Sequence, residues 1–166
     1  MIKIQPMLPD QWQLYKTLRC TALAEAPYAY SSTLDDALRR SDKDWHQITR
    51  QYANHANSLI YFAFKNDFAC GMSACVINGE EVELFSVWVD PLYRKKGVGR
   101  ALIDYGREWS LSRSASQIRV GVFEDNPGAL AFYSSVGFND SGQIDPVLST
   151  KKRSVLLYHL PLKRTE

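Results

Sequence analysis

The sequence predicts a single α/β domain built around a mixed β-sheet. The elements follow one another in a mixed order: a strand, two helices, a run of three strands, then alternating helices and strands. The length of 166 residues is typical of one domain, and 45% of the residues are apolar, enough for a buried core. We therefore expect residues 1–166 to form one domain, since no linker or internal repeat divides them.

The first third of the chain predicts one strand and two helices. Alternation of apolar and polar residues indicates the strand, and apolar residues at helical spacing indicate the helices. The predicted elements are a strand over Ile2–Gln5, a helix capped by Asp10 and stopped by Pro27, a loop over Tyr28–Leu34, and a helix opened by a capping box of Ser41 and Asp44.

The middle third predicts three consecutive strands, at residues 59–64, 68–77 and 82–89. Asn78 and Gly79 form a strong hairpin signal between the second and third of these strands. The third strand, Val82–Val89, is apolar on both faces. That pattern is expected for a strand at the centre of a sheet that is covered on both sides.

The last third predicts two helices and two strands. The predicted elements are a helix over 97–112, a strand over 117–123, a short helix capped by Asn126 with Pro127 first and Gly137 just past its end, and a strand over 154–160. Residues 139–152 are polar and irregular, which predicts a long turn.

A basic turn, Arg94-Lys95-Lys96-Gly97-Val98-Gly99, joins the third strand of this run to the next helix. The first N–H groups of a helix lack intrahelical partners, and the helix dipole places positive charge there. Glycine also lets a ligand approach the backbone closely. With Arg100 adding charge, the turn has the chemistry of a pyrophosphate site.

Two other interpretations of this turn stay open on these residues. The first is a solvated basic turn whose glycines only serve its geometry. The second is a dinucleotide site, which is weaker because Leu102 stands where the third glycine of G-x-G-x-x-G would be. A Walker-type phosphate loop is excluded, since the chain contains no Gly-Lys-Ser/Thr.

Two segments resemble signatures of the GCN5-related N-acetyltransferase (GNAT) superfamily. The pattern R/Q-x-x-G-x-G/A is matched by Arg94, Gly97 and Gly99. The pattern N-x-x-A-x-x-F-Y-x-x-x-G-F is matched by Asn126, Ala129, Phe132, Tyr133, Gly137 and Phe138. One helix and one strand separate the two segments, as in the superfamily. The resemblance is specific over residues 82–138 and rests on element order alone in the N-terminal third.

The resemblance implies the acyl-CoA N-acyltransferase fold, a mixed, mostly antiparallel, twisted sheet of six to seven strands flanked by about four helices. It implies an N-acetyltransferase that moves the acetyl group of acetyl-CoA to a primary amine by direct attack in a ternary complex, without a metal. The residues it implies for acetyl-CoA binding are Val87, Trp88, Val89, Arg94, Lys95, Lys96, Gly97, Val98, Gly99, Arg100, Asn126, Ala129, Phe132 and Tyr133.

Acetyl transfer to an amine needs a base, an oxyanion donor and an acid. Glu83 is the best base, because it is a lone carboxylate within an apolar strand, on the same face as Phe85, Val87 and Val89 by period-2 counting. Several superfamily members carry a glutamate base at the corresponding distance before the motif. The alternative is that Glu83 lies exposed at the strand start. If Glu83 is the base, it acts directly or through water.

Tyr133 is the best acid, because it matches the superfamily tyrosine that approaches the coenzyme A sulfur and a phenol can protonate a departing thiolate. Its alternative role is that of a core aromatic residue. The resemblance also implies that a backbone N–H near Val87 stabilises the oxyanion, and that residues 87–89 pair with pantetheine as an added strand would. Asn126 is expected to touch the cofactor arm while capping its helix.

The acceptor site is expected at residues 27–44 and 139–152, with Tyr30, Ser32 and Glu83 as substrate-binding residues. We expect a small-molecule amine; the alternatives are a protein or peptide acceptor, and a non-catalytic acyl-CoA-binding module. The net charge of +2 gives no sign of a nucleic-acid or membrane partner. A cytoplasmic location is expected, because the sequence shows no signal peptide and its three cysteines suggest reduced thiols. The protein is expected to be a monomer or a homodimer.

Overall fold

A computed structural model describes residues 1–53 and 55–163. In that part of the chain, seven strands form one sheet in the order β1-β2-β3-β4-β5-β7-β6. Every neighbouring pair is antiparallel except β4 and β5, which are parallel. The strands are β1 (Ile2–Pro6), β2 (Ser58–Lys65), β3 (Phe68–Asn78), β4 (Glu81–Val89), β5 (Gln117–Phe123), β6 (Asn139–Ile144) and β7 (Val155–Pro161).

Five α-helices accompany the sheet in the described residues. They are α1 (Trp12–Glu25), α2 (Leu34–Arg39), α3 (Asp42–Ala53), α4 (Val98–Ser112) and α5 (Pro127–Ser135). The predicted mixed, mostly antiparallel sheet is confirmed, and its seven strands are the upper end of the expected six to seven. Within the described residues, no helix has both the length and the apolar character needed to cross a bilayer.

The sheet separates two hydrophobic cores. On one side α1 and α3 pack against the sheet around Trp45 and Phe62, and on the other α4 packs against it around Leu102. β4 contributes to both cores, with Leu84 on the α4 side and Trp88 on the α1 side. The prediction of a central strand covered on both faces is confirmed.

Of the caps predicted for α1 and α3, only the one at α3 is confirmed. The Ser41 hydroxyl accepts a bond of 3.1 Å from the Asp44 N–H, and the Asp44 carboxylate accepts one of 2.9 Å from the Ser41 N–H. This reciprocal pair is the predicted capping box. The predicted Asp10 cap is wrong, because α1 is preceded by Gln11, whose side chain instead accepts a bond from the Leu8 N–H.

Two elements differ from the prediction. α2 lies between the predicted loop over 28–34 and the predicted helix start at Ser41, where no element was predicted, and its start is capped by the Thr33 hydroxyl, which accepts a 3.1 Å bond from the Asp36 N–H. The predicted long turn over 139–152 begins with β6, which pairs with β7 at the edge of the sheet. β6 is mostly exposed and contains Gly142, so its sequence lacks the apolar alternation of a strand.

Candidate active site

The parallel pairing of β4 with β5 is short. It runs from Glu81 opposite Gln117 to Leu84 opposite Val120 and ends there. Beyond that point both strands line a cavity of about 410 Å³. β5 pairs with β7 along its whole length on one edge, and past Val120 its other edge faces the cavity because β4 no longer pairs with it. The cavity brings together the predicted residues Tyr30, Ser32, Glu83, Val87, Asn126, Ala129 and Tyr133.

A bulge in β4 changes which side chains share a face. Ser86 has a positive φ of 55°, and the β3–β4 register shifts between Met72 and Ala74. As a result Phe85 packs on the α1 side of the sheet, whereas Val87 and Val89 pack on the α4 side. The prediction that Glu83 shares a face with Phe85 is confirmed, but for Val87 and Val89 it is wrong, because period-2 counting fails across the bulge.

Glu83 lines the cavity as a paired carboxylate. Its Oε1 accepts a charge-assisted hydrogen bond from the guanidinium of Arg119 on β5, and its side chain is 40% exposed. Arg119 also lies 3.8 Å from a carboxylate oxygen of Glu81. The expectation of an unpaired carboxylate is therefore wrong, whereas the alternative of a residue exposed near the strand start stays open. The base role stays a prediction.

Tyr133 has a place in the core and also lines the cavity. Its ring meets Phe132 and Phe138 edge to face, and only 8% of the residue is exposed. Burial, together with the nearby Tyr30, raises the pKa of the Tyr133 hydroxyl well above 10. The hydroxyl is therefore protonated at every physiological pH, as a proton donor must be.

Tyr30 joins the loop after α1 to the bulged strand. Its hydroxyl donates a 2.9 Å hydrogen bond to the carbonyl oxygen of Val87. Burial raises the pKa of Tyr30 well above its ordinary value, so this donor keeps its proton. The guanidinium carbon of Arg19 lies 5.1 Å from the centre of the Tyr30 ring.

The glycines of the basic turn shape the start of α4. Gly97 caps this helix with a φ of 89°, a conformation that favours glycine. A Cβ on Gly99 would lie 2.9 Å from the ring of Phe132, so the absence of a side chain lets α4 and α5 pack closely. Val98, the first residue of α4, is buried in the core on the α4 side of the sheet. No side chain caps the first N–H groups of α4.

The charges of the turn divide into two kinds. Arg94 donates 2.9 Å to the Val89 carbonyl and 2.7 Å to Oε2 of Glu25, so its guanidinium ties the turn to α1. Lys95 and Arg100 are exposed, and in the described parts of the chain neither forms an ion pair. Two cations are thus available at the helix N-terminus, while Arg94 holds the turn in place.

Three residues of this region were missed by sequence reasoning: Arg19, Glu25 and Arg119. Trp88, predicted to contact the cofactor, is only 4% exposed and donates a 3.0 Å bond from its indole to Glu25. A signal for Arg19 existed, because it lies four residues after Tyr15 on the buried face of α1. Glu25 and Arg119 carried no such signal, since their partners are distant in sequence.

A family model described as "Acetyltransferase (GNAT) family" matches residues 19–138, more than half of the chain. The chain belongs to the GNAT acetyltransferase family. It is 32% identical over 127 residues to a mycothiol acetyltransferase of Thermobispora bispora, a match covering 76% of this chain and 42% of the relative. It is 36% identical over 62 residues to the ribosomal protein bS18-alanine N-acetyltransferase of Escherichia coli, covering 37% and 42% respectively.

Solved structures share the fold of this GNAT chain over nearly its whole length. A GNAT-family acetyltransferase of Streptococcus pneumoniae superposes with a TM-score of 0.79 at 18% identity, covering 98% of this chain and all of that one. PaiA N-acetyltransferase of Thermoplasma acidophilum, solved with coenzyme A, gives 0.77 at 17% identity, covering 97% and 99%. The chain spans about two fifths of the length of the mycothiol acetyltransferases it matches.

Proposed function

We propose that this GNAT chain transfers the acetyl group of acetyl-CoA to the primary amine of a small molecule, by direct attack in a ternary complex. The observation that carries the proposal is the cavity where β4 and β5 part, since Glu83 and Tyr133 both line it. A carboxylate that can accept a proton and a phenol that can donate one thus border the same space. We also propose that residues 1–166 act as one domain.

The donor is proposed to enter along the bulged end of β4. Lys95, Arg100 and the uncapped N–H groups of α4 supply the charge and donors that a pyrophosphate needs. Past Leu84, β4 has no β5 partner, so the backbone near Val87 can accept pantetheine as an added strand and donate to the oxyanion. Asn126 borders the cavity at the start of α5, next to the proposed cofactor arm.

The proposed chemistry balances within these groups. The ammonium proton of the acceptor passes to Glu83, directly or through water, and the freed nitrogen attacks the thioester carbonyl carbon. The carbon–nitrogen bond forms, the carbon–sulfur bond breaks, and the departing thiolate takes the Tyr133 proton. The second proton of the attacking nitrogen returns to the Tyr133 phenolate through water, and the proton held by Glu83 is released to solvent. Arg119 competes for the Glu83 carboxylate, so the approach of an ammonium group has to weaken that ion pair.

A small acceptor is favoured by the size of the site. A cavity of about 410 Å³ lies within the range of roughly 300–1,000 Å³ that small-ligand pockets occupy. The printed names of the relatives include one small-molecule acceptor and one protein acceptor, so they leave both classes open.

Two measurements test the proposal. Acetyl-CoA should raise the melting temperature, because a ligand selective for the native state stabilises it. Thiol release from acetyl-CoA should then exceed the background rate with at least one member of a panel of primary amines. Clear binding without turnover for any small amine or for peptides with free N-termini would instead favour a non-catalytic acyl-CoA-binding module.

A further inference from the structure

Arg19 is a buried cation beside the proposed acceptor site. It lies on α1, borders the cavity, and is only 9% exposed. Its Nη1 is buried and has no hydrogen-bond partner among the described residues. In residues 1–53 and 55–163, no carboxylate lies within ion-pair distance of its guanidinium.

Burial of a guanidinium without an ion-pair partner lowers the stability of the free protein. An arginine side chain stays protonated, so burial cannot be relieved by loss of the charge. The face of Tyr30, 5.1 Å away, compensates part of the lost hydration through a cation–π contact. That contact does not use the N–H groups in the guanidinium plane, of which Nη1 is buried without a hydrogen-bond partner among the described residues, and such N–H groups match a planar oxyanion.

Arg119, the second arginine of the cavity, differs from Arg19 because it has carboxylate partners. Arg119 directs its guanidinium at the carboxylates of Glu83 and Glu81, so its charge is compensated within the protein. Arg19 has no carboxylate partner of this kind among the described residues. Its ring partner Tyr30 is itself fixed by the hydrogen bond to the Val87 carbonyl, which limits how far the Arg19 side chain can move. The cavity therefore contains one arginine without an ion-pair partner among the described residues. It is also lined by Asp145, whose Oδ1 accepts hydrogen bonds from the backbone N–H groups of Val147 and Leu148.

We infer that Arg19 binds an anionic group, a carboxylate or a phosphate, on the acceptor, so that the acceptor is an amine that also carries an acid group. This inference rests on the proposed acetyltransferase function. The charges of the cavity fit such a molecule at both ends, because Glu83 attracts the ammonium group while Arg19 attracts the anion. A neutral amine or a polyamine would leave the Arg19 charge unpaired.

Matched pairs of amines test this inference. β-Alanine is compared with β-alaninamide, each α-amino acid with its amide, and 2-aminoethyl phosphate with 2-aminoethanol, so that carboxylate and phosphate are distinguished. Thiol release gives kcat/KM, and melting temperature in the presence of coenzyme A gives binding without turnover. For the preferred pair, we expect the anionic member to be favoured by about tenfold or more in kcat/KM.

Three variants test whether Arg19 causes the preference for the anionic amine. Arg19→Met should bring the ratio near one, and Arg19→Lys should restore part of it. Arg113→Met is the matched control, because Arg113 also lies 5.1 Å from an aromatic ring, that of Trp109, but outside the cavity. It should keep the wild-type ratio. Without ligand, Arg19→Met should melt no lower than the wild type, because it removes an unpaired buried charge; a merely structural role would lower the melting temperature.

The outcomes separate this inference from the proposed function. Turnover of amines with no preference for the anionic member, or an equal loss for both members in Arg19→Met, overturns the role of Arg19 and leaves the acetyltransferase standing. Stabilisation by anionic amines that depends on Arg19, but without any turnover, supports the role and counts against the acetyltransferase. No stabilisation by any anionic member overturns the role as well.

Discussion

The Tyr30 hydroxyl donates a 2.9 Å hydrogen bond to the carbonyl oxygen of Val87, which is the residue that follows the bulge at Ser86. This bond ties the segment after α1, where the acceptor is proposed to bind, to the strand along which the donor is proposed to lie. It also holds the ring that faces Arg19. One side chain thus connects the two proposed halves of the site.

Tyr30→Phe should test that connection. The ring is retained, but the part-buried carbonyl of Val87 loses its donor, so we expect a loss of about 1 kcal/mol in the free energy of unfolding and a raised KM for the acceptor. Urea denaturation and steady-state kinetics measure the two effects. Tyr28→Phe is the control, since Tyr28 is 54% exposed and should change neither. Equal behaviour of the two variants would contradict the prediction.

Tyr133→Phe should separate catalysis from packing. The ring stays between Phe132 and Phe138, while the proposed proton donor is removed, so kcat should fall by about 100-fold with acetyl-CoA affinity little changed. Because the pKa of Tyr133 is raised, deprotonation of this residue should cause no loss of wild-type activity below about pH 10. Tyr105→Phe, outside the cavity, is the control. An unchanged kcat would remove Tyr133 from the acid role.

Local chemistry is what the sequence predicted well. The Ser41–Asp44 capping box and the Asn126 cap each follow from residues within one turn of each other. The bonds of both caps join residues that are three positions apart in the sequence. Such signals can be evaluated without knowing the rest of the fold.

Contacts between distant segments were beyond that reasoning. The bulge at Ser86 depends on how β4 fits β3, so counting along β4 alone placed Val87 and Val89 on the wrong face. The pairing of Glu83 with Arg119 joins two strands that meet only because the chain crosses over through α4. β6 was missed because an exposed edge strand can be almost entirely polar.

Glu83→Gln should distinguish a base from a charge that only holds Arg119. If Glu83 is the base, the variant loses the rising limb of the pH–rate profile and at least about tenfold in kcat. Arg119→Gln removes the same ion pair but leaves the carboxylate, so it should keep a rising limb. A Glu83→Gln profile identical to that of the wild type would assign the base elsewhere. Equal losses in both variants and in the double variant would indicate a shared positioning role.

Glu25→Gln should give a pH-dependent loss of stability. Partial burial of Glu25 works to raise its pKa, but hydrogen bonds from Arg94 and Trp88 outweigh it, and the pKa lies below the ordinary value of 4.5. A depressed carboxyl pKa gives stability that is present above the ordinary value and is lost as the pH falls through the lowered one. We therefore expect the variant to be less stable by about 1–2 kcal/mol from pH 8 to 5, since its side chain no longer accepts two charge-assisted bonds.

Below about pH 4 the difference between wild type and Glu25→Gln should shrink, because the wild-type carboxyl becomes protonated and loses the same interactions. Chemical denaturation at each pH measures it. Glu108→Gln is the matched control, as Glu108 is exposed on α4 and has no ion-pair partner among residues 1–53 and 55–163. A constant difference from pH 8 to 3 would show that Glu25 stabilises the protein through its shape rather than its charge.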